Sequence, residues 1–197
     1  MEEKKLTGYP SIDKPWLKYY TKEAIERKLV PNTIYGYLWE QNKEHLNDVA
    51  LVYFQQKISF QKLFQDIEQC AKSLTALGVK PGDIITIQTL AIPQTVVLLY
   101  AISRVGAVAN FIYVTSTGSE ANHILKHTDS RLYFVLSGIY EKCPAVLDGT
   151  KVEKSILLSL DTEMDALTRF VYRMTSQPKK YPDSERVLSE FFYGTAP

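Results

Sequence analysis

The sequence predicts an α/β fold, a mostly parallel sheet flanked by helices, and three observations carry that prediction. A helix stop and turn, Leu77-Gly78-Val79-Lys80-Pro81-Gly82-Asp83, leads directly into Ile84-Ile85-Thr86-Ile87, a run rich in β-branched side chains. Pro93, suited to a first helical turn, then opens an apolar helical run that closes at Gly106-Ala107. A second apolar run, Ala107-Val108-Ala109-Asn110-Phe111-Ile112, follows at once. Helix, strand, helix, strand with short links is how a parallel α/β layer reads in one dimension.

The other elements follow in chain order. Tyr9-Pro10, Lys14-Pro15 and Val30-Pro31 interrupt any long helix, so residues 1–31 read as an N-terminal arm with one short helix from Thr21 to Lys28. Residues 32–160 read as the α/β subdomain. Asn32 or Thr33 caps a helix carrying Ile34, Tyr37, Leu38 and Gln41. Residues 49–54 and 57–60 are two short strands joined at Gln55-Gln56. Ser59 caps the longest helix, whose Phe60, Leu63, Phe64, Ile67, Ala71, Leu74 and Leu77 recur at three and four residues as one core-facing stripe. After the central α/β phrase, Thr117 or Ser119 caps a helix through Lys126, Leu132–Leu136 is a strand, and residues 155–160 are the last strand. Residues 161–197 read as a helix and surface loop. Asp161, Glu163 and Asp165 crowd the front of that helix and Arg169 and Arg173 its rear, an order that complements the helix dipole and allows an Asp165–Arg169 pair at four residues' separation. Met164, Leu167, Val171 and Met174 form its apolar side, expected to pack on the parent domain.

Composition narrows the function classes. The chain has 197 residues, 45% hydrophobic and 23% charged, an ordinary globular balance. A net charge of +1 gives no electrostatic reason to expect nucleic acid as a partner. No apolar stretch approaches the roughly 20 residues that cross a bilayer, so no transmembrane segment is expected. Met1-Glu2-Glu3-Lys4-Lys5 has no apolar signal region behind it, which points to a cytoplasmic protein. Cys70 and Cys143 read as two free thiols.

Three stretches taken together resemble the N-terminal portion of the adenylate-forming (AMP-binding) superfamily, which includes acyl-CoA ligases, luciferases and peptide-synthetase adenylation domains. Ala50-Leu51-Val52-Tyr53 with Ile58-Ser59-Phe60-Gln61-Lys62-Leu63 is similar to the family's first motif. Leu74-Thr75-Ala76-Leu77-Gly78-Val79-Lys80-Pro81-Gly82-Asp83 is close to its next turn, and Ala101-Ile102-Ser103-Arg104-Val105-Gly106-Ala107-Val108 resembles its second motif. The leader Gly8-Tyr9-Pro10-Ser11-Ile12-Asp13-Lys14-Pro15-Trp16 looks most like that of bacterial acyl-CoA synthetases (fatty-acid–CoA ligases). The sequence departs after Val108, where Ala109-Asn110-Phe111 stands in place of the family's usual proline-centred strand end, and this leaves the subgroup open.

The resemblance implies an AMP-forming acid–thiol ligase as the full-length parent. Such an enzyme converts a carboxylic acid, here expected to be fatty, into an acyl-adenylate with ATP and Mg2+ and passes the acyl group to CoA. The family's Ser/Thr/Gly-rich loop ending in Pro-Lys and its C-terminal lysine normally lie beyond the portion present here. The chain is therefore expected to be a truncated fragment that scaffolds the site, is inactive alone, and binds none of these cofactors tightly. A large apolar surface left by the missing remainder is expected to allow dimerisation. Two alternatives stand beside this: a parent that adenylates an amino or aryl acid for a carrier protein, and a non-catalytic α/β binding or interaction module.

No residue reads as catalytic, cofactor-binding or metal-ligating. Thr115-Ser116-Thr117-Gly118 lacks the second glycine and the lysine of a phosphate loop and reads as a helix cap. Thr175-Ser176-Gln177-Pro178-Lys179 lacks every glycine, and Gly149-Thr150-Lys151 lacks the first glycine and spacing of a P-loop. His123 and His127 lie four apart on a helix, but Ile124 stands where a zinc-protease helix has its acid and no third ligand is evident. Cys70 and Cys143 have no local histidine or acid to activate them.

Overall fold

The computed structural model of the protein describes residues 6–28, 31–140, 145–161 and 164–176. Its contacts divide the chain into two units, Met1–Asn32 and Thr33–Pro197. The first holds α1 (Pro10–Asp13), a 3-10 turn (Pro15–Tyr19) and α2 (Lys22–Glu26), the short helix expected behind Thr21. Asp13 organises its start by accepting from the Thr7 and Gly8 amides at 3.0 and 2.9 Å.

The second unit begins with α3 (Ile34–Asn42), capped by Thr33, and a hairpin of β1 (Val49–Tyr53) and β2 (Gln56–Ser59). The hairpin turns one residue earlier than the sequence suggests. Tyr53 pairs with Gln56, so Phe54-Gln55 is the two-residue loop. Phe54 takes the positive φ (50°) that such loops need, and its ring packs edge-on against Tyr53 at 4.7 Å. Ser59 caps α4 (Phe60–Ala76), and the expected stripe faces inward through Leu63, Phe64, Ile67, Ala71 and Leu74. β3 (Ile84–Gln88), α5 (Pro93–Arg104) and β4 (Val108–Phe111) follow, β4 being shorter than the apolar run that contains it. Next come α6 (Gly118–Thr128), β5 (Leu132–Leu136), α7 (Ser137–Tyr140), β6 (Lys154–Leu158) and α8 (Ala166–Ser176).

β3 to β6 form one all-parallel sheet in the order β4-β3-β5-β6. Alternation along the strands assigns its two faces. Ile85, Ile87, Leu132 and Phe134 join α4 and α5 in the larger apolar cluster, which includes Ile67, Leu74, Leu98 and Ile102. Tyr133, Val135 and Leu157 point the other way, toward Ala121 and Leu125 of α6. Helices on both faces explain why β3 and β5 are buried along almost their whole length.

Gly106 ends α5 with φ of 76°, and its carbonyl accepts from Gly82 N at 2.9 Å. A Cβ there would lie 3.3 Å from Pro81 Cβ. Gly106→Val is expected to lower the unfolding free energy by about 2 kcal/mol or more, measured by urea titration. A change below a few tenths would mean that the turn tolerates a side chain.

α8 uses its charged residues differently from the expectation. Asp165 caps the helix by accepting from the Leu167 and Thr168 amides at 3.1 and 3.0 Å, while Arg169 donates to the Asp161 and Met164 carbonyls at 2.9 and 2.8 Å. The helix start offers Asp165 closer donors than a guanidinium one turn away. Of the apolar side, Met164 is buried, but Leu167, Val171 and Met174 are exposed, as is Phe170. The polar segment after Ser176 and the apolar residues 191–197 lie outside the described residues.

Candidate functional site

In a parallel sheet the crevice outside the carboxyl ends of the strands is the usual ligand position, where neighbouring strands send their connections to opposite sides. Here the chain leaves β3 for β4 on one side and leaves β5 for β6 on the other, so that point lies between the ends of β3 and β5. The rim is made by Gln88, the turn after β4 around Tyr113, Ser137 after β5 and Asp161 after β6.

Gln88 is 1% exposed and ties this rim together. Its Oε1 accepts from the Tyr133 hydroxyl, and its Nε2 donates to the Tyr113 carbonyl at 3.0 Å. Below it, Thr86 accepts from Asn110 Nδ2 at 2.9 Å and shares a hydrogen bond with Ser130, which is joined to Thr128 at 2.7 Å. Register places Asn110, Thr86, Tyr133 and Ser155 side by side on the α6 face. The sheet therefore has a dry face toward α4 and α5 and a polar seam running under α6. At the rim, Thr89 Oγ1 is buried with no partner among the described residues. Asp161 is buried and accepts from Ser159 Oγ at 2.5 Å.

The opposite end of the sheet, where the strands begin, is closed. Arg131 Nη1 reaches Asp83 at 3.0 Å and the Gly78 carbonyl, Nη2 reaches the Leu77 carbonyl at 3.3 Å, and Nε reaches Glu153 at 2.8 Å. The Lys80 amide and then Arg131 hold Asp83 below its ordinary pKa, and Arg131 does the same for Glu153. Carboxylates depressed in this way stabilise the fold above their unfolded values, about 3.9 and 4.3, and that stabilisation is lost as pH falls through the lower folded values. The melting temperature is therefore expected to fall more steeply below about pH 4 in the native chain than in Arg131→Gln. Parallel profiles would show that the guanidinium does not govern these two groups.

The candidates weighed from sequence are spread over the fold. Thr117 caps α6, accepting from Glu120 N at 3.3 Å, while the Glu120 carboxylate accepts from Thr117 N at 2.8 Å. That reciprocal box occupies the groups a phosphate would need. Thr150 Oγ1 donates to the Leu147 carbonyl at 2.8 Å and Lys151 pairs with Asp129 at 2.6 Å, so residues 149–151 form a closed turn. His123 and His127 are exposed, with rings stacked 6.3 Å apart. Cys70 is a free thiol, fully buried, and burial pushes its pKa far up, so it is no nucleophile. Cys143 and Gln177-Pro178-Lys179 lie outside the described residues. Among the described residues no group of three or more His, Cys, Asp or Glu is placed to hold a metal ion, and no helix is long and apolar enough to cross a membrane. One orphaned hydroxyl at Thr89 is no phosphate cradle, so the described residues do not fit ATP or Mg2+ by themselves.

Sequence reasoning missed Gln88, Tyr133 and Asp161. A signal was present for Gln88, a polar residue closing the otherwise buried run of β3.

A model of the AMP-binding enzyme family matches residues 38–189. The chain is 25% identical over 119 residues to the peroxisomal trans-cinnamate:CoA ligase of Petunia hybrida, covering 60% of this chain and 21% of that protein. It is 33% identical over 116 residues to the acetyl-coenzyme A synthetase of Shewanella putrefaciens, covering 50% and 18%. The fold matches the crystal structure of coronafacic acid ligase from Pectobacterium brasiliense with a TM-score of 0.65 and 18% identity, over 83% of this chain and 29% of that one. The chain thus spans about a fifth of the length of these curated relatives.

Proposed function

The chain belongs to the AMP-binding enzyme family, and we propose that it is the N-terminal part of an AMP-forming acid–thiol ligase. The parent activates a carboxylic acid, in our reading a fatty acid, with ATP and Mg2+ in the cytoplasm and transfers it to CoA. A carboxylate resists nucleophiles because it is anionic and would have to expel oxide; adenylation gives it a leaving group that a thiol displaces. Within this scheme the 197 residues act as scaffold. β3 and β5 hold the crevice, Gln88 fixes the Tyr113 turn beside it, and the groups that meet the phosphates come from downstream.

The observation that carries the reading is the coincidence of the matched segment, residues 38–189, with the parallel layer and its crevice. The exposed stripe on α8 supports it, since Leu167, Phe170, Val171 and Met174 are suited to cover by a following part of the parent or, in the isolated chain, by a second copy. A second reading, activation of an aryl acid, is favoured by the similarity to the trans-cinnamate:CoA ligase.

Reading the coding DNA past the Pro197 codon tests the proposal. The expected result is an open frame that continues into a Ser/Thr/Gly-rich loop ending in Pro-Lys. A stop codon at that point would replace the ligase reading with a non-catalytic α/β module. Thermal shifts of the complete polypeptide with laurate and with cinnamate then separate fatty from aryl specificity.

A further inference from the structure

α6 carries two histidines on one open face. His123 and His127 lie one turn apart, both exposed, with their rings parallel to within 10° and 6.3 Å between centres. Among the described residues neither imidazole makes a hydrogen bond or an ion pair, so each keeps a ring nitrogen for an outside partner.

The helix beneath them is firmly held. Its capping box fixes the first turn, and Ala121 and Leu125 are buried in the cluster with Tyr133 and Val135. Asn122 Nδ2 donates to the Val146 and Asp148 carbonyls, both at 2.9 Å, and ties the helix to the turn beside it. Side chains four residues apart on a helix have Cβ atoms about 6 Å apart. Paired imidazoles at that spacing share one metal ion on a metalloprotease helix. Here the parallel rings point the same way rather than at a common centre. Bringing two nitrogens to roughly 2.1 Å from one ion takes side-chain rotation alone.

The charges around the pair suit a cation. The Lys126 ammonium lies over Gly149, 3.3 Å from where a Cβ would stand, and Lys151 is paired with Asp129 at 2.6 Å. Arg131, four residues past His127, is held by Asp83 and Glu153. Glu120, three residues before His123, lies on the same face and adds negative charge, although its Oε2 already accepts from Thr117. His127 stands in the last turn, where unpaired carbonyls favour positive charge.

We propose that His123 and His127 chelate a borderline divalent transition-metal ion of the Ni2+, Cu2+ or Zn2+ type, with water completing its coordination. Imidazole suits these ions, whereas Mg2+ prefers oxygen ligands, so the site is distinct from the one the parent enzyme needs for Mg2+. With two protein ligands it links one turn of α6 and supplies no catalytic ion. The proposal uses no residue of the sheet rim and stands apart from the ligase reading.

The test uses the untagged chain carrying Cys143→Ser, so that this thiol does not compete, and Ni2+ alone as the probe. Ni2+ is paramagnetic and broadens the 1H–15N signals of nearby amides. The expected result is saturable broadening centred on residues 120–130, with the amides around His45, the third histidine, unaffected at the same Ni2+ concentration. His123→Gln and His127→Gln should each weaken Ni2+ by about tenfold or more, because the second imidazole binds intramolecularly. His45→Gln should leave the affinity unchanged, and Mg2+ at the same concentration should leave the α6 signals unaltered. All three histidines are exposed, and retained dispersion shows that the variants fold. Broadening centred elsewhere, or equal affinity in either α6 variant, would overturn the proposal, since the two imidazoles would then act singly or not at all.

Discussion

Leu98→Ala is expected to lower the unfolding free energy by about 3 kcal/mol, with a fall in the urea midpoint and little change in slope. Leu98 is 0% exposed on α5 and belongs to the cluster that joins α4 and α5 to Ile85, Ile87, Leu132 and Phe134. Its removal leaves a void under two helices and the centre of the sheet, where neighbours locked on both sides relax little. The same change at Val52, exposed on the hairpin, should cost well under 1 kcal/mol. Near-equal losses at the two positions would mean that this layer is not the core.

Gln88→Ala should cost about 3 kcal/mol, through the lost side-chain volume and two lost hydrogen bonds inside a buried site. The Tyr133 hydroxyl loses Gln88 Oε1 as an acceptor, and the Tyr113 carbonyl loses the Gln88 donor and keeps the Ser116 amide. Tyr133→Phe should cost about 1.5 kcal/mol, because it strands Gln88 Oε1 in a site that is 1% exposed. The two changes share one bond, so their combined effect should fall short of the sum by on the order of 1 kcal/mol in a double-mutant cycle. Gln88→Ala should also speed amide exchange at Ser116, whose N–H bonds the Tyr113 carbonyl at 3.0 Å. Strict additivity, or unchanged exchange, would contradict the role given to Gln88 in holding the rim.

Local pattern made most of the fold legible. The stripe from Phe60 to Leu77 has a helical period, Gly78 and Gly106 stand where the helices stop, and the β-branched run at Ile84 has no polar alternation because helices cover both its faces. Boundaries were less legible. Where residues 107–112 give way to loop depends on the length over which β3 can pair, and that is not written in those residues. The hairpin turn moved because Phe54 accepts a backbone conformation that local preference would assign to glycine or asparagine.

The rim was not legible in the sequence. Thr86, Asn110, Tyr133 and Ser155 become neighbours only through the registers of β4, β3, β5 and β6. Register between strands separated by twenty or more residues leaves no local trace. The rejected phosphate loops were readable because that chemistry demands glycine at fixed spacing, and its absence shows in the residues themselves.

The most direct measurement of the central claim is acid-dependent exchange of labelled pyrophosphate into ATP, run on the 197-residue chain and on the product of its complete reading frame. The account predicts no exchange above background for the chain alone and strong exchange, stimulated by a carboxylic acid, for the complete product. Robust exchange by the chain alone would contradict the account, because it would require a working nucleotide site among residues assigned here to support.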